Sequence, residues 1–173
     1  MTAELTDALR ERFGQVRLLA LDVDGVLTDG GLYYSSDGKE LRRFDVKDGM
    51  GLLLLMQAGV SVAIISAGRG PVTLHRARDL GIAHVFVEVK DKLATLSSLC
   101  QTLDIALAEV AFVGDDLNDL PVLQVVGLPL TVADALAANQ TIAAYVTRRS
   151  GGHGAVREIC DMIMAAQFYD GGL

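Results

Sequence analysis

The residues best suited to chemistry follow apolar segments of the chain that are typical of buried strands. Asp22 and Asp24 follow the first segment, Ser66 the second, Lys92 the third and Asp115 the fourth. In an open α/β sheet, ligands bind outside the carboxyl ends of the strands, so we expect these five side chains to converge at one edge. Carboxylates, a hydroxyl group and an ammonium group would then share one site.

This set of groups predicts phosphoryl transfer assisted by a divalent cation. Crowded carboxylates repel one another and must be neutralised by a cation or by protonation. Mg²⁺ prefers one or two carboxylates together with water and phosphate oxygens, and Asp22 and Asp115 would supply the carboxylates. Asp22 could attack phosphorus and form an aspartyl-phosphate, while Asp24 gives a proton to the leaving oxygen and later takes one from water. Ser66 and Lys92 would hold the phosphoryl oxygens.

Each of these residues has a simpler explanation when it is taken alone. Asp115 and Asp116 could cap a helix that begins near Leu117, and for an isolated Asp capping is the commoner role. Lys92 alone would be a solvated lysine, and Ser66 alone a turn residue. A catalytic site is favoured because four strand ends supply complementary groups in one chain.

The Asp-x-Asp-Gly sequence that begins at Asp22 also occurs in calcium-binding loops of the EF-hand type. Such a loop needs an oxygen-bearing side chain at its fifth position and glycine at its sixth. Counted from Asp22, these positions hold Val26 and Leu27. The sequence therefore excludes a calcium site of this kind.

Strand and helix patterns alternate along the chain. Strands are predicted at residues 16–23, 62–67, 84–89 and 109–116, and more weakly at 127–132 and 143–147. Helices are predicted at residues 50–58, 71–80, 91–103, 117–125, 133–138 and 154–167. This alternation predicts an α/β fold with a doubly wound, mostly parallel, Rossmann-like sheet.

Residues 31–44 break the alternation and predict a β-hairpin around an Asp-Gly turn. Apart from this hairpin, one helix is predicted between Asp24 and Ser66, and one helix between Ser66 and Lys92. Neither stretch holds a cap domain, so we expect one capless domain over residues 1–173. An open site would leave a phosphoester poorly shielded from water, which predicts a symmetric homo-oligomer whose partner subunit supplies walls.

The composition limits the classes of protein that this chain can belong to. Its 173 residues suit one domain, and 51% of them are hydrophobic, which excludes a disordered chain. The net charge of -7 lacks the basic character of proteins that bind nucleic-acid backbones. Cys100 and Cys160 do not have C-x-x-C spacing and are expected to be reduced, buried thiols.

Residues 49–68 carry no formal charge and are long enough to raise the question of a membrane span. We interpret them as a helix that ends near Gly59 and a buried strand over residues 60–65, since helices cover both faces of a parallel strand. The charged residues 1–15 contain no apolar signal-peptide segment. A cytoplasmic protein with no membrane partner is therefore expected.

Four short motifs in the expected order give the chain a resemblance to the haloacid dehalogenase-like phosphohydrolases. They are DVDG at residues 22–25, Ser66, Lys92 and GDDLND at residues 114–119. The resemblance implies that Asp22 is the nucleophile and a ligand of Mg²⁺. Asp24 would be the general acid and base, and would bind the metal through its backbone carbonyl. Asp115 would be the other metal ligand, with Asp116 or Asp119 supporting it.

Longer matches narrow the resemblance within that superfamily. The matched stretches are DVDGVLTDG (22–30), FDVKDGMG (44–51), GDDLNDLP (114–121) and GGHGAVRE (151–158). From about residue 16 to residue 167, the chain is similar to the capless 3-deoxy-D-manno-octulosonate 8-phosphate phosphatases. This implies Mg²⁺-dependent hydrolysis of that sugar phosphate, a step of lipopolysaccharide biosynthesis. It also implies a homotetramer in which the hairpin forms the interface and residues 150–158 help to enclose the substrate.

The matched stretches and the loop after Ser66 supply candidate contacts to the sugar acid. These candidates are Lys47, Asp48, Gly49, Arg69 and Arg157. Arg42 and Arg43 could bind the sugar carboxylate or form ion pairs between subunits. The intersubunit role is at least as well supported for these two hairpin residues.

The chain departs from the family pattern at three places that bear on sugar recognition more than on phosphoryl transfer. Arg69 is displaced by one residue, because Ser-Ala-Gly-Arg stands where the family usually has Thr-Gly-Arg. Val87 and Glu88 stand where the family often has Gln-Gly, and His153 stands where it often has Arg. A histidine pairs with a carboxylate more weakly than an arginine, which is always charged.

Two alternatives to this function stay open. One is a phosphatase of a related nonulosonate 9-phosphate, or of a broader range of sugar phosphates. The other is a non-catalytic module that serves only for oligomerisation, against which the intact Asp22, Asp24, Lys92 and Asp115 argue.

Overall fold

The central feature of the fold is a six-stranded parallel sheet, seen in a computed structural model that describes residues 6–168. Along the chain the strands are β1 (Leu18–Leu21), β2 (Tyr33–Tyr34), β3 (Glu40–Leu41), β4 (Ser61–Ile65), β5 (His84–Phe86), β6 (Val110–Val113), β7 (Leu128–Thr131) and β8 (Tyr145–Val146). The sheet has the order β5-β4-β1-β6-β7-β8, and β2 pairs with β3 in a separate antiparallel hairpin. The predicted Rossmann-like α/β fold is confirmed.

Helices cover both faces of the sheet. They are α1 (Asp7–Gly14), α2 (Val46–Gln57), α3 (Pro71–Asp79), α4 (Lys92–Leu103), α5 (Leu120–Leu123), α6 (Ala137–Ile142) and α7 (Ala155–Phe168). In β1, Leu19 and Leu21 belong to the core formed with α2 and α7, whereas Leu18 and Ala20 belong to the core formed with α4 and α5. All four are buried, which explains why the strand is apolar without interruption.

The uncharged stretch over residues 49–68 folds as a helix and a strand, as predicted. Helix α2 ends at Gln57, and β4 begins at Ser61. Between them Gly59 has a φ of 94°, a left-handed conformation that a side chain would strain. Within residues 6–168, no helix is long and apolar enough to cross a membrane.

Three helices differ in extent from the prediction, for identifiable reasons. Helix α2 begins at Val46 and not at residue 50, because the Asp45 side chain accepts the Lys47 N–H and caps the helix there. Residues 117–125 form a 3₁₀ turn and then the four-residue α5, because Pro121 cannot donate a helical hydrogen bond. Helix α6 begins at Ala137 and not at residue 133. The preceding Leu136 N–H donates to the Asp115 carbonyl at 3.0 Å, so the chain bonds across to another loop before the helix starts.

Helix α1 has no counterpart in the prediction because its sequence has little apolar pattern. It contains charged residues on most sides and buries only Phe13. Phe13 packs in the core beside α7, and its ring meets Tyr145 edge to face. Tertiary packing therefore holds this helix in a way that its own sequence does not signal. Cys100 and Cys160 are free and buried, as expected.

The hairpin of β2 and β3 and helix α2 are the elements between β1 and β4. The hairpin closes with an antiparallel bridge between Thr28 and Phe44. Only α3 lies between β4 and β5, so neither position within residues 6–168 holds a cap domain. Tyr33, Tyr34 and Leu41 are 52%, 64% and 60% exposed on the hairpin. Without a cap domain in these positions, the elements that position the site are the central strands β4, β1 and β6 and the loops that follow them.

Candidate active site

The register of the central strands brings the predicted residues to one edge of the sheet. Leu21 at the end of β1 pairs with residues near the ends of both β4 and β6. Asp22 follows directly, and its backbone N–H donates to the Val113 carbonyl at 3.0 Å. Ser66 is the first residue after β4, and Asp115 is the second residue after β6.

Lys92, the first residue of α4, lies between two buried carboxylates. Its Nζ is 2.8 Å from Asp22 Oδ2 and 2.6 Å from Asp119 Oδ1. Burial lowers the pKa of Lys92, but the two carboxylates together outweigh burial and hold this pKa above its ordinary value. Lys92 therefore stays protonated and offsets part of the repulsion between the acids.

Asp22 and Asp115 are crowded acids whose charge Lys92 does not fully balance. Burial first, and then Asp119, raise the pKa of Asp22 to about 6, although Lys92 opposes the shift. Burial first, and then the neighbouring Asp22 and Asp119, raise the pKa of Asp115 to about 7. Both carboxyl groups therefore lose their protons less readily than an ordinary aspartate.

The same carboxylates fit a hard divalent cation. Asp115 Oδ1 is buried and has no hydrogen-bond partner within residues 6–168. One oxygen from each of Asp22, Asp115 and Asp119 lies within 4.8 Å of the others. An unpaired buried carboxylate oxygen is costly, and Mg²⁺ is a cation that prefers such oxygen ligands. The donor set therefore suits Mg²⁺.

Gly25 lets the loop after β1 approach the Asp115 side chain closely. Its φ is 82°, and a Cβ at this position would overlap the Asp115 carboxylate. A side chain here would therefore be strained in the backbone and would also displace a candidate ligand. The glycine of the DVDG motif is required by this close approach.

Asp116 and Asp119, which the sequence did not separate, have different surroundings. Asp119 is fully buried, and its Oδ2 accepts the N–H groups of Asp115 and Asp116 at 3.0 and 3.3 Å. Asp116 is exposed, and its Oδ1 accepts the N–H of Leu117 at 2.6 Å. Asp119 thus fixes both the Asp115 loop and Lys92, whereas the Asp116 side chain caps the 3₁₀ turn.

Asp24 pairs with an arginine of the hairpin. Arg42 Nη1 is 2.9 Å from Asp24 Oδ1, and Arg42 Nε is 2.7 Å from Glu40 Oε1. The Arg42 side chain is only 4% exposed. Burial raises the pKa of Asp24, and Arg42 opposes that rise. Arg42 was expected at the sugar or at another subunit, but within this chain its guanidinium group is occupied by Asp24 and Glu40.

A cavity of about 720 Å³ opens beside Lys92. It is lined by Ala67, Arg69, Glu88, Val89, Lys90, Lys92 and Asn118. Arg69, Lys90 and Lys92 give this cavity cationic groups suited to an anionic ligand. Ser66 is buried nearby, and its Oγ accepts the Gly68 N–H at 3.1 Å, so its hydroxyl proton can be donated to a phosphoryl oxygen.

Two predicted sugar contacts, Asp48 and Arg157, are engaged with each other. The Asp48 carboxylate is buried and accepts the backbone N–H groups of Arg157 at 2.8 Å and Gly154 at 3.3 Å. The Arg157 side chain pairs with Asp161 at 2.8 Å. Asp48 therefore joins the start of α2 to the start of α7 and neutralises unpaired N–H groups there.

The remaining candidates lie around the hairpin and the glycine-rich tail, which comprises residues 150–158. Lys47 is exposed, and Gly49 is buried against the Arg76 side chain. Arg43 donates to the Gly152 carbonyl at 2.5 Å, which links the hairpin to the tail. His153 Nδ1 lies 2.7 Å from a carbonyl of its own loop. Among the predicted sugar contacts, Arg69 alone belongs to the described lining of the 720 Å³ cavity.

Sequence reasoning missed two buried threonines that hold the site loops. Thr28 Oγ1 accepts the N–H groups of Gly25 at 3.4 Å and Gly30 at 3.2 Å. Thr131 Oγ1 donates to the Gly114 carbonyl at 2.6 Å. Each threonine lies within or directly after an apolar segment, and a hydroxyl group in that context must find a partner. A threonine in an apolar segment was therefore the feature of the sequence that could have predicted these hydrogen bonds.

This chain is similar in sequence and in fold to phosphatases of one family. Residues 76–159 match the model of the haloacid dehalogenase-like hydrolase family. The chain is 44% identical over 163 residues to the 3-deoxy-D-manno-octulosonate 8-phosphate phosphatase KdsC of Yersinia pestis, covering 94% of this chain and 87% of that protein. The chain belongs to this phosphatase family. It is 46% identical over 152 residues to the KdsC phosphatase of Escherichia coli K12, covering 88% of this chain and 81% of that protein.

Solved structures of family members have the same fold. The crystal structure of the Yersinia pestis phosphatase has a TM-score of 0.93 and covers 95% of this chain and 89% of that chain. A phosphatase of Moraxella catarrhalis, solved with a magnesium ion, a phosphate ion and a KDO molecule, is 37% identical with a TM-score of 0.93. The match covers 96% of each chain. The resemblance found in the sequence is therefore confirmed.

Replacing Lys92 tests its role as the counter-ion of the buried acids. Lys92→Met should lower the free energy of unfolding by about 3–5 kcal/mol at pH 8, since it leaves two buried carboxylates without their partner. The loss should shrink near pH 5, where the Asp22 carboxyl group, whose pKa is raised to about 6, takes up a proton. Urea unfolding followed by circular dichroism measures both values. The exposed Lys90→Met is the matched control, and an equal loss in both variants would contradict the assignment.

The raised pKa values predict pH-dependent stabilisation by Mg²⁺. At pH 8, carboxyl groups with pKa values of about 6 and 7 are ionised, and saturating Mg²⁺ should raise the midpoint of thermal unfolding by about 5–10 °C. At pH 5.5 protons occupy the same oxygens, so the rise should nearly vanish. Asp115→Asn should abolish the effect and Asp116→Asn should keep it. A rise that is independent of pH, or that survives Asp115→Asn, would count against this metal site.

Proposed function

We propose that this protein is a Mg²⁺-dependent phosphomonoesterase that hydrolyses 3-deoxy-D-manno-octulosonate 8-phosphate to the free sugar acid and phosphate. The observation that supports it most is the buried Lys92 between Asp22 and Asp119, next to the unpaired Asp115 oxygen and a cavity with cationic groups. Relatives that are 44% and 46% identical are named as phosphatases of this substrate.

In the first step, an oxygen of Asp22 attacks phosphorus as the bond between phosphorus and the sugar oxygen breaks. Asp24 gives its proton to the sugar oxygen, and the product is an aspartyl-phosphate on Asp22. Burial raises the pKa of Asp24, which favours the protonated form that this step needs. Lys92 and Ser66 hold the phosphoryl oxygens while their charge redistributes.

In the second step, a water molecule gives a proton to Asp24 as its oxygen attacks phosphorus. The bond between phosphorus and Asp22 breaks, which releases inorganic phosphate and restores both carboxyl groups to their starting states. Arg42 is positioned to favour the ionised Asp24 that accepts this proton, because it lies 2.9 Å from that carboxylate. Burial thus raises the pKa of Asp24 and Arg42 lowers it, which suits a carboxyl group that must both give and take a proton.

The metal site in this proposal consists of the carboxylates of Asp22 and Asp115 and the backbone carbonyl of Asp24. Bound there, Mg²⁺ would polarise the phosphoryl oxygens and offset the negative charge of the acids. Asp119 supports the site by holding Lys92 and the Asp115 backbone. This assignment also leaves Asp116 outside the metal shell, since its carboxylate caps a turn.

Sugar recognition is proposed to involve Arg69 and residues 150–158 of the glycine-rich tail. Arg69 lines the cavity, despite its shifted position in the sequence. The tail lies against the loop after β1, because the Gly152 N–H donates to the Val26 carbonyl at 3.0 Å. Lys47 and Arg157 stay predictions as sugar contacts, and Arg157 would first have to leave Asp161.

We also propose that residues 1–173 form one capless domain that assembles as a cytoplasmic homotetramer. The apolar side chains on the hairpin, Tyr33, Tyr34 and Leu41, are more than half exposed in a single chain. Tyr33 and Leu41 are cross-strand partners, and exposed apolar groups on a short two-stranded ribbon are typical of an interaction surface. A neighbouring subunit would then cover the hairpin and help to close the open site.

A panel of phosphate esters tests the function. Purified protein with Mg²⁺ should release phosphate fastest from 3-deoxy-D-manno-octulosonate 8-phosphate, measured as kcat/KM. Asp22→Asn should lower kcat by about 10³-fold or more, because an amide cannot act as the nucleophile. Preference for a nine-carbon sugar acid would overturn only the substrate. Absence of Asp22-dependent turnover with every ester would overturn the enzyme and favour an oligomerisation module.

The hairpin interface predicts a concentration-dependent assembly that charged substitutions disrupt. The wild-type protein should sediment at four times the chain mass. The double variant of the cross-strand pair, Tyr33→Lys with Leu41→Lys, should sediment at a smaller mass, since each lysine must be desolvated at an apolar interface. Val125→Lys, at an exposed apolar position away from the hairpin, is the control and should stay tetrameric. A monomeric wild type, measured by analytical ultracentrifugation, would contradict the proposal.

A further inference from the structure

Glu88 has a backbone conformation that is unusual for its residue type. Its φ is 56°, and the only other non-glycine residue of the described chain with positive φ is Asp104. Asp104 ends helix α4 as a left-handed C-cap, a position where such a conformation is common. Glu88 lies instead in the loop between β5 and α4, where no helix end accounts for it. Strain of this kind persists only where the surroundings impose it.

Hydrogen bonds to the loop after β4 impose this conformation. The Glu88 N–H donates to the Gly68 carbonyl at 3.1 Å, and the Val89 N–H donates to the Ser66 carbonyl at 3.0 Å. Val87 packs so closely on Gly70 that a Cβ on that glycine would overlap it. The backbone on both sides of Glu88 is therefore fixed against the loop that begins with Ser66.

Glu88 is exposed and belongs to the lining of the 720 Å³ cavity beside Lys92. Arg69 and Lys90 line the same cavity, yet Glu88 forms no ion pair with any residue between 6 and 168. A carboxylate in a cavity with cationic groups weakens the binding of a simple phosphate anion. The same carboxylate is a strong hydrogen-bond acceptor for hydroxyl groups. A fully ionised phosphoester group has no hydroxyl group of its own, so the donor must lie elsewhere in the ligand.

We propose that Glu88 is a specificity-determining residue that accepts hydrogen bonds from hydroxyl groups of a polyhydroxylated phosphoester. Arg69 and Lys90 would face the anionic groups of the same ligand, and Glu88 would select against phosphoesters without hydroxyl groups near the reacting phosphate. The hydrogen bonds that fix the backbone keep Glu88 in the lining of the cavity. This inference rests on the proposed phosphatase function and deepens it.

The test compares two substrates in four proteins. The substrates are 3-deoxy-D-manno-octulosonate 8-phosphate, which is rich in hydroxyl groups, and p-nitrophenyl phosphate, which has none. The proteins are the wild type, Glu88→Gln, Glu88→Gly and the control Glu11→Gln, which removes a charge from exposed α1. Steady-state kcat and KM are measured for each pair, together with the midpoint of thermal unfolding.

Glu88→Gln should lower kcat/KM for the sugar phosphate by about 10-fold or more, mostly through KM, because a charge-assisted hydrogen bond is lost. Turnover of p-nitrophenyl phosphate should stay within about twofold or rise. Glu88→Gly should lose the same selectivity while the unfolding midpoint rises by about 2–4 °C, since glycine relieves the positive φ. A merely structural glutamate would not separate the two substrates.

Two results would overturn the inference while leaving the phosphatase intact. One is an equal change for both substrates, and the other is no change for either. If the wild type hydrolyses neither ester, the proposed function fails, and the inference about Glu88 fails with it. The Glu11→Gln control should match the wild type with both substrates, so a general effect of net charge is recognised separately.

Discussion

The arrangement of this site depends on one buried ion pair network, in which the Lys92 ammonium group lies between the Asp22 and Asp119 carboxylates. Without a cation, acids this close and this deeply buried would take up protons and lose their use as nucleophile and ligand. Lys92 supplies one positive charge to a group of at least three carboxylates. Burial is the largest cause of the raised pKa values of Asp22 and Asp115, and the repulsion among the acids that Lys92 leaves unbalanced raises these values further. The unbalanced negative charge favours the binding of a divalent cation.

The fold serves this network mainly by fixing the backbone positions of its residues. Asp22 is held by the register of β1 with β6, and Asp115 by the carboxylate of Asp119. Gly25 permits contact between the two loops, and Thr131 secures the strand end beside them. The hairpin joins the same system through the pairing of Arg42 with Asp24. An element proposed for subunit contact therefore also touches the proposed general acid and base.

Most of the central site could be predicted from the sequence because the topology rule is strong. Polar residues directly after apolar parallel strands must meet at one sheet edge, so Asp22, Ser66, Lys92 and Asp115 needed only the correct order of elements. Separating Asp119 from Asp116 was not possible, because both lie in one turn and are distinguished only by their burial and their partners in the folded chain. The same rule gives no side-chain direction for residues farther from the strand ends.

Contacts between distant segments account for what sequence reasoning could not reach. Asp48 accepts the backbone N–H of Arg157, 109 positions away, and so joins two helices in a way that no local pattern signals. The start of α6 is delayed by a hydrogen bond to the Asp115 loop, which no local propensity encodes. The positive φ of Glu88 likewise depends on hydrogen bonds to another loop. These features follow from tertiary structure and not from local pattern.

The central claim is that Asp22, ionised beside Lys92, receives the phosphoryl group. Its most direct test is to quench the enzyme in acid during turnover of 3-deoxy-D-manno-octulosonate 8-phosphate and to reduce the acyl phosphate with borohydride. Peptide mass spectrometry then locates the reduced residue. The account predicts homoserine at position 22 in the wild type. Homoserine at another aspartate, or unmodified Asp22 in an enzyme that is releasing phosphate, would contradict it.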